Sequence, residues 1–475
     1  VLAVPVVLTY LLVFDPLLSY LTAWGGSIFI FIATVCGKIR PLPNDMPWKR
    51  QLLRPIFLVH AVFFGFFCFS SVFYVRDLYV GGPMWAAFPA DEMATVAAAQ
   101  RYYLVGHTAF VVGLLSSTSY QRSGTWHLKS SFSFPVILLL GSILAFVVSE
   151  AFGQVGALSQ FAAKFRSIAG ISLILSFVIA LTHGRFHLSI LSGFLYLSIL
   201  LSAFLSGWKH QVIGVVGLLL VYLFPRYKRS VAVIGLVALI LGVTVLPAYN
   251  GAFRQLNWSG NVGAEEAATI AYQQVVDGEI DIAEQSWNFL KGRTTEVGLF
   301  TDYIEHTPQQ RPFYGLQIVE QAVLSIIPRV LWPSKPVTEE LVMERVLENG
   351  AVEVYSDVSA KPQLIVDGYL SGGVFGVFLT GLLLGIGFAW ASRLCEMCLG
   401  GYRFGTMVVY TGLFSTVILT NSFEFFANTF FWSVVTVLLI FYGLKFMGWV
   451  RWVPHGPSAA KAAYPARTPQ SHSLP

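Results

Sequence analysis

Residues 132–149 read Phe132-Ser133-Phe134-Pro135-Val136-Ile137-Leu138-Leu139-Leu140-Gly141-Ser142-Ile143-Leu144-Ala145-Phe146-Val147-Val148-Ser149. The run carries no charge, and about 20 mostly apolar residues are enough for a helix to cross a bilayer. Similar runs recur along the chain, at 3–14, 16–35, 56–74, 103–119, 167–182, 188–206, 212–224, 231–247, 368–391, 404–420 and 430–446. Together they predict an all-α polytopic membrane protein with about twelve transmembrane helices. The composition agrees: of 475 residues, 55% are hydrophobic and only 12% charged, and the mean hydropathy is +0.67. Soluble domains carry roughly a quarter charged residues. A soluble protein and a nucleic-acid binder are both excluded by that balance, since the net charge of +5 is small. A signal peptide's charged start and small-residue cleavage site are not seen.

Basic residues in the short loops set the orientation. With the N-terminus in the cytoplasm, the cytoplasmic segments hold Lys38, Arg40, Lys49, Arg50, Arg54, Arg122, Lys129, Arg185, Arg226, Lys228, Arg229, Arg393, Arg403, Lys445, Arg451, Lys461 and Arg467. The short external loops hold only Arg76, Arg101, Lys164, Arg166 and Lys209. Both termini are therefore expected in the cytoplasm.

The expected organisation is a transmembrane body over 1–247, a large external loop over 248–365, further spans over 366–446 and a disordered cytoplasmic tail over 447–475. The loop reverses the charge of the chain, with 8 Lys and Arg against 16 Asp and Glu. Amphipathic stretches at 265–276, 280–290, 296–306 and 316–326 make it a small, mainly helical cap rather than a structureless loop. The lone pair Cys395/Cys398 lacks the second pair or histidines that a zinc site needs, so a structural reading is preferred. No inverted repeat of the transporter kind is evident.

Polar chemistry is concentrated in the external loop. Its densest stretch is Ile327-Pro328-Arg329-Val330-Leu331-Trp332-Pro333-Ser334-Lys335-Pro336. Three prolines stiffen the backbone and end the preceding helix. They hold Arg329 and Lys335 on either side of Trp332, an arrangement suited to an anionic headgroup or sugar phosphate. An interfacial anchor is the plain alternative. Arg254, Lys209 and the Lys291/Arg293 cluster add further cations, and Thr295 could cap a helix containing Glu296. A transfer reaction also needs a base, for which His210, His306, Glu296, Asp302, Glu305, Glu320 and Asp367 are candidates. Asp367 opens the string Asp367-Gly368-Tyr369-Leu370-Ser371-Gly372-Gly373, and Glu424 is a weaker counterpart in another external turn. No nucleotide-binding or nucleophile-elbow motif is present. The substrate must then arrive already activated, on the outside and attached to lipid.

This layout resembles the Wzy-type polymerases of bacterial surface polysaccharides, relatives of the O-antigen ligases with a GT-C-class membrane fold. The resemblance covers most of the chain. It rests on the span number, the late external loop, the Pro328-Arg329…Trp332-Pro333…Lys335-Pro336 string and the Asp367-Gly368-Tyr369 entry into the next span. The R-x10-G repeats of some members are missing. The resemblance implies transfer of a glycan from undecaprenyl diphosphate to a sugar hydroxyl on another lipid-linked repeat unit, at the periplasmic face of the inner membrane. Arg293, Arg329 and Lys335, with Lys209 and Arg254, would hold the diphosphate. His306, Glu296 or Asp367 would be the base, and Trp332 and Tyr369 would line the substrate. No metal or cofactor is implied, and a chain-length regulator is the expected protein partner. A ligase with another acceptor and a flippase of lipid-linked glycans are the alternatives. The few ionisable residues at mid-span, His60 and His107, count against the flippase.

Overall fold

In the computed structural model the apolar runs form helices. Described are residues 1–80, 90–118, 124–129, 133–156, 158–207, 209–257, 262–293, 295–329, 331–352, 361–420 and 422–454. The first half of the chain holds α1 (Ala3–Leu11), α2 (Pro16–Val35), α3 (Leu58–Phe63), α4 (Ser71–Val80), α5 (Ala90–Ser117), α6 (Phe134–Gly153), α7 (Ser159–Thr182), α8 (Phe186–Leu205), α9 (Lys209–Leu223) and α10 (Lys228–Val243). Then come α11 (Val245–Asn257), α12 (Ala264–Val276), α13 (Ile282–Arg293), α14 (Val297–His306), α15 (Gln317–Ser325), α16 (Thr338–Glu348), α17 (Leu364–Cys398), α18 (Thr411–Leu413) and α19 (Phe423–Phe446). A π-helical turn over Phe64–Phe69 joins α3 to α4.

Seven of these are long and apolar enough to cross a membrane: Pro16–Val35, Leu58–Leu78, Phe134–Gly153, Ser159–Thr182, Phe186–Leu205, Leu364–Cys398 and Phe423–Phe446. The bent pair α10–α11, with 42° between its axes, makes an eighth if counted as one crossing. Their outer faces carry apolar side chains in the open, among them Phe194, Leu197 and Leu201 on α8 and Val233, Ile234 and Val237 on α10. Patches of that kind would be a liability in water and are what a lipid-facing helix needs.

Four expectations change. The run at 3–14 holds only the nine residues of α1 as helix, roughly half the bilayer core at 1.5 Å per residue. The run at 404–420 is broken into a π-helical stretch, Tyr402–Tyr410, the three-residue α18 and a 3-10 turn, Val417–Leu419. Beside the helices, β1 (Gly124–Leu128) pairs antiparallel with β2 (Val450–Pro454), Trp126 opposite Trp452. The tail is consequently ordered through residue 454, because that strand completes a hydrogen-bonded ribbon; residues 455–475 lie outside the described residues. The boundary at 247/248 also falls inside α11, so cap and body share that helix. All four amphipathic stretches of the cap are helices.

The centre of the bundle is the pair α5 and α17, which pack backbone to backbone. A Cβ on Gly381 would collide with the carbonyl oxygen of Gly106, and one on Gly385 with that of Phe110. This small-xxx-small contact lets two helices approach closely where no hydrophobic effect drives them together. α17 itself is interrupted at Gly372 (φ −171°, ψ 37°) and Gly373 (φ 59°, ψ −140°). The left-handed backbone at Gly373 suits glycine alone. Residues 364–371 double back there, bringing Gly368 against Gly376 and Thr380. In a continuous helix residues 368 and 380 would stand about 18 Å apart. The crossing therefore starts after this break, not at Gly368, and the half-helix before it carries Asp367 and Tyr369 into the interior.

Polar contacts tie distant segments together. Asp77 meets Trp287 and Lys291, Glu424 meets Arg345, Arg54 meets Glu396 and β1 meets β2.

Candidate functional site

An arginine buried in the cap organises the end of the bundle on which the cap sits. On α16 the residues Val342, Arg345 and Val346 are buried, a spacing that lays them on one helix face. Arg345 is 2% exposed and lies between two carboxylates that are fully buried. Its Nε lies 3.2 Å from Asp367 Oδ1. Its Nη1 and Nη2 donate to Glu424 at 2.8 and 3.1 Å. Nη2 also lies 3.3 Å from Asp367 Oδ2, which accepts the Phe423 N–H at 2.7 Å. Burial works against the guanidinium's charge, but Asp367 and Glu424 outweigh it and raise its pKa above the usual value. One arginine does not neutralise two carboxylates; Glu424 sits in the first turn of α19, where the helix dipole favours negative charge. The turn into α19 is strained, with Ser422 at φ 65° and its N–H bonded to Pro362 O at 2.8 Å. Strain of this kind persists where surrounding contacts overdetermine it.

A chain of hydrogen bonds runs from this cluster to Thr307. Asn349 Nδ2 donates to Arg345 O at 2.8 Å, and Thr307 Oγ1 donates to Asn349 Oδ1 at 2.8 Å. Tyr369 O–H donates to Thr307 O at 2.6 Å. Its ring packs among Tyr102, Phe300 and Phe313. His306, the next residue back from Thr307, is half-buried at the end of α14. Glu296 precedes the other end of α14, about 15 Å away along the axis. Thr295 Oγ1 accepts the Val297 N–H at 3.2 Å, but α14 starts only at Val297 and its N-cap is Glu296 rather than Thr295.

A second chain of contacts runs from Glu424 to the proline-bracketed turn. Ser325 Oγ donates to Glu424 O at 2.8 Å, while Asn428 Nδ2 and Lys335 Nζ both donate to Ser325 O, at 2.9 and 2.6 Å. Lys335 also donates to Ile327 O at 3.0 Å, so it caps the carbonyl end of α15. Its amine is pushed down by partial burial and by Arg329 beside it. Arg329 is exposed, with a single long contact of 3.5 Å to Pro336 O. Neither cation is ion-paired among the described residues. Trp332 is half-exposed and donates to Ser334 Oγ at 3.1 Å.

The sequence-predicted residues thus separate. Arg329, Lys335, Trp332, Asp367, Tyr369 and His306 belong to one connected region. Arg254 belongs to another, where its Nε donates to Gly207 O at 2.9 Å. Lys209 and Arg293 are placed by backbone alone, at the start of α9 and the end of α13; their side chains lie outside the described residues, as does that of His210. Lys291 is engaged by Asp77 at 3.0 Å. Asp367, a candidate base in the sequence, is fully buried and engaged by Arg345 and by the Phe423 N–H. Arg345 was missed; an arginine on the apolar stripe of an amphipathic helix was the signal for it. His60 and His107 share a hydrogen bond of 2.8 Å between their Nε2 atoms, deep inside the bundle. No group of three metal-ligating side chains occurs among the described residues.

Fold and site together define a polytopic helical membrane protein with a helical cap clamped to the bundle by a buried arginine. A family model described as a domain of unknown function, DUF8712, matches residues 4–451, and the chain belongs to that family. No curated protein and no solved structure matches it.

Proposed function

We propose that this protein is a membrane glycosyltransferase of the Wzy-like kind, joining lipid-linked oligosaccharide repeat units at the outer face of the bacterial inner membrane. The observation that carries the reading is the pair Arg329 and Lys335. Two cations stand together without a carboxylate between them, on a stiff turn beside Trp332 and tied to the start of a membrane helix. Like charges repel, and a fold that keeps them adjacent favours an anion there.

In this reading the glycan's anomeric carbon leaves undecaprenyl diphosphate and bonds to a sugar hydroxyl of the second repeat unit. Negative charge accumulates on the departing diphosphate, and Arg329 and Lys335 stabilise it. The hydroxyl proton passes to a base, for which His306, next to Thr307 and half-buried, is the candidate. The Arg345 cluster fixes α16 on α17 and α19, and so sets the distance between base and cations. The proposal includes both termini in the cytoplasm and a GT-C-class architecture with twelve crossings. That number counts α1, α5, α9, α10–α11 and the broken 402–420 segment alongside the seven long spans.

The test is Arg329→Ala in the producing strain. Loss of long-chain glycan with normal protein level and thermal stability is expected. Normal polymer in that variant would remove the cation pair from the reaction and with it this reading.

A further inference from the structure

Between α11 and α13 lies a cleft of about 270 Å³, lined by Asn250, Gly251, Arg254, Gln285, Asn288 and Phe289 among others. Asn250 and Arg254 are four residues apart on α11, and Gln285, Asn288 and Phe289 follow the same helical spacing on α13. Two helix faces therefore confront each other across it. Asn250 is the unusual member. It is 1% exposed, and neither its Oδ1 nor its Nδ2 has a hydrogen-bond partner among the described residues. Burying an amide in that state forfeits its bonds to water without replacing them. A side chain kept there at such a cost serves a group that comes from outside the chain.

The lining describes that group. Three amides offer both donors and acceptors, which suits neighbouring hydroxyls on a ring. One guanidinium, oriented by its bond to Gly207 O, suits a phosphate or carboxylate. The Phe289 ring supplies an apolar face, as the C–H side of a sugar requires, and no acidic side chain lines the cleft among the described residues. Its volume is just below the usual range of roughly 300–1,000 Å³ for ligand pockets, so it takes one ring rather than a long chain. Pro247, at the start of α11, is also in the lining. The cleft thus opens where the apolar helix α10 ends, within reach of both solvent and lipid headgroups.

We infer that this cleft binds a single polyhydroxylated ring or glycerol unit bearing one phosphate or carboxylate. The inference does not depend on the transferase reading, because it concerns binding alone and uses residues outside the Arg329–Lys335 region.

The test is calorimetric titration of the purified full chain in detergent with glucose 1-phosphate, glucuronate, glucose, inorganic phosphate and short-chain phosphatidylglycerol. At least one of the anionic hydroxylated probes is expected to bind ten-fold or more tightly than glucose or phosphate. Binding by the sugar probes identifies a soluble ligand; binding by phosphatidylglycerol alone identifies a headgroup. Asn250→Leu should weaken that binding at least ten-fold while leaving the melting temperature unchanged or higher, since it removes an unpartnered amide. Gly251→Leu is the second variant. A Cβ there meets only Gln285 Oε1 at 3.9 Å, so a larger side chain enters the cleft and should block binding in a folded protein. Absence of binding by glucose 1-phosphate, glucuronate and phosphatidylglycerol alike overturns the inference. So does binding that survives both variants, or an Asn250→Leu protein that melts earlier and binds normally.

Discussion

Arg345 and Asp367 meet at 3.2 Å with both side chains out of solvent, one on a cap helix and the other on a half-helix folded back from a membrane span. With Glu424 on α19 they join three elements that no local sequence signal connects. Removing one partner of a buried ion pair leaves an uncompensated charge and costs about 3–5 kcal/mol. Arg345→Met should therefore lose about that much stability, strand two carboxylates and open the cap to protease. A triple variant that adds Asp367→Asn and Glu424→Gln should recover most of the loss. Thermal unfolding and limited proteolysis of the purified proteins measure both. An Arg345→Met protein as stable as the parent would show that the cluster does not clamp the cap.

His306 and Asp367 should separate in their behaviour. His306→Ala removes a half-buried side chain with no ion pair among the described residues, so polymer should fall by two or more orders of magnitude, as for loss of a general base, with melting temperature unchanged. Asp367→Asn should lower both, because the carboxylate anchors Arg345. Glycan length and melting temperature, measured on the same preparations, distinguish the two roles. Equal loss of stability in both variants would withdraw His306 as the base.

Asp302 gives the cap a pH dependence with a definite sign. Burial, reinforced by Glu305, raises its pKa from the ordinary 3.8 to about 6. Between these values the folded state holds a proton that the unfolded state has released. Stability therefore falls as pH rises from about 4 to about 6, and the loss is complete above that. Asp302→Asn removes this contribution, so the variant should gain on the parent as pH rises through that window and keep its advantage at pH 7. Paired melting curves at pH 4.5 and 7 test it; an advantage that shrinks on going to pH 7 would contradict the raised value.

Close packing of α5 on α17 makes glycine obligatory at selected points. Gly385→Ala puts a methyl into the Phe110 carbonyl, and overpacking of this kind costs typically 1–3 kcal/mol. Gly443 on α19 has open space around it, so Gly443→Ala should be neutral or gain up to about 1 kcal/mol from helix propensity. Melting temperatures of the two variants should move in opposite directions.

These elements show what could be read beforehand. Runs such as 132–149 announce themselves by composition, and the four amphipathic stretches of the cap by period. The doubling back at Gly372–Gly373 was not legible, because a Gly-Gly pair inside an apolar run marks a weak point without giving the direction of the bend. Asp367 and Glu424 stood out as acids beside spans, yet their partner lies on another helix, and pairing across the chain leaves no local trace. The β-ribbon was hidden for the same reason: its strands come from a short loop and from the chain's end, each too brief to signal a sheet alone.

Sidedness is the last point on which the functional reading can fail. The Trp332 turn is joined through Ser325 to the start of α19, while β2 follows that helix's other end. A helix of 24 residues spans about 36 Å, enough to separate these two sites across a bilayer core of about 30 Å. Seventeen basic residues favour the β2 side for the cytoplasm, against five in the short loops opposite. With Cys36 changed to serine, a cysteine at Ser334 should react with an impermeant maleimide in intact cells. A cysteine at Val453 should react only after the membrane is opened. The reverse pattern would place Arg329 and Lys335 in the cytoplasm, where no outward-facing lipid-linked glycan could reach them.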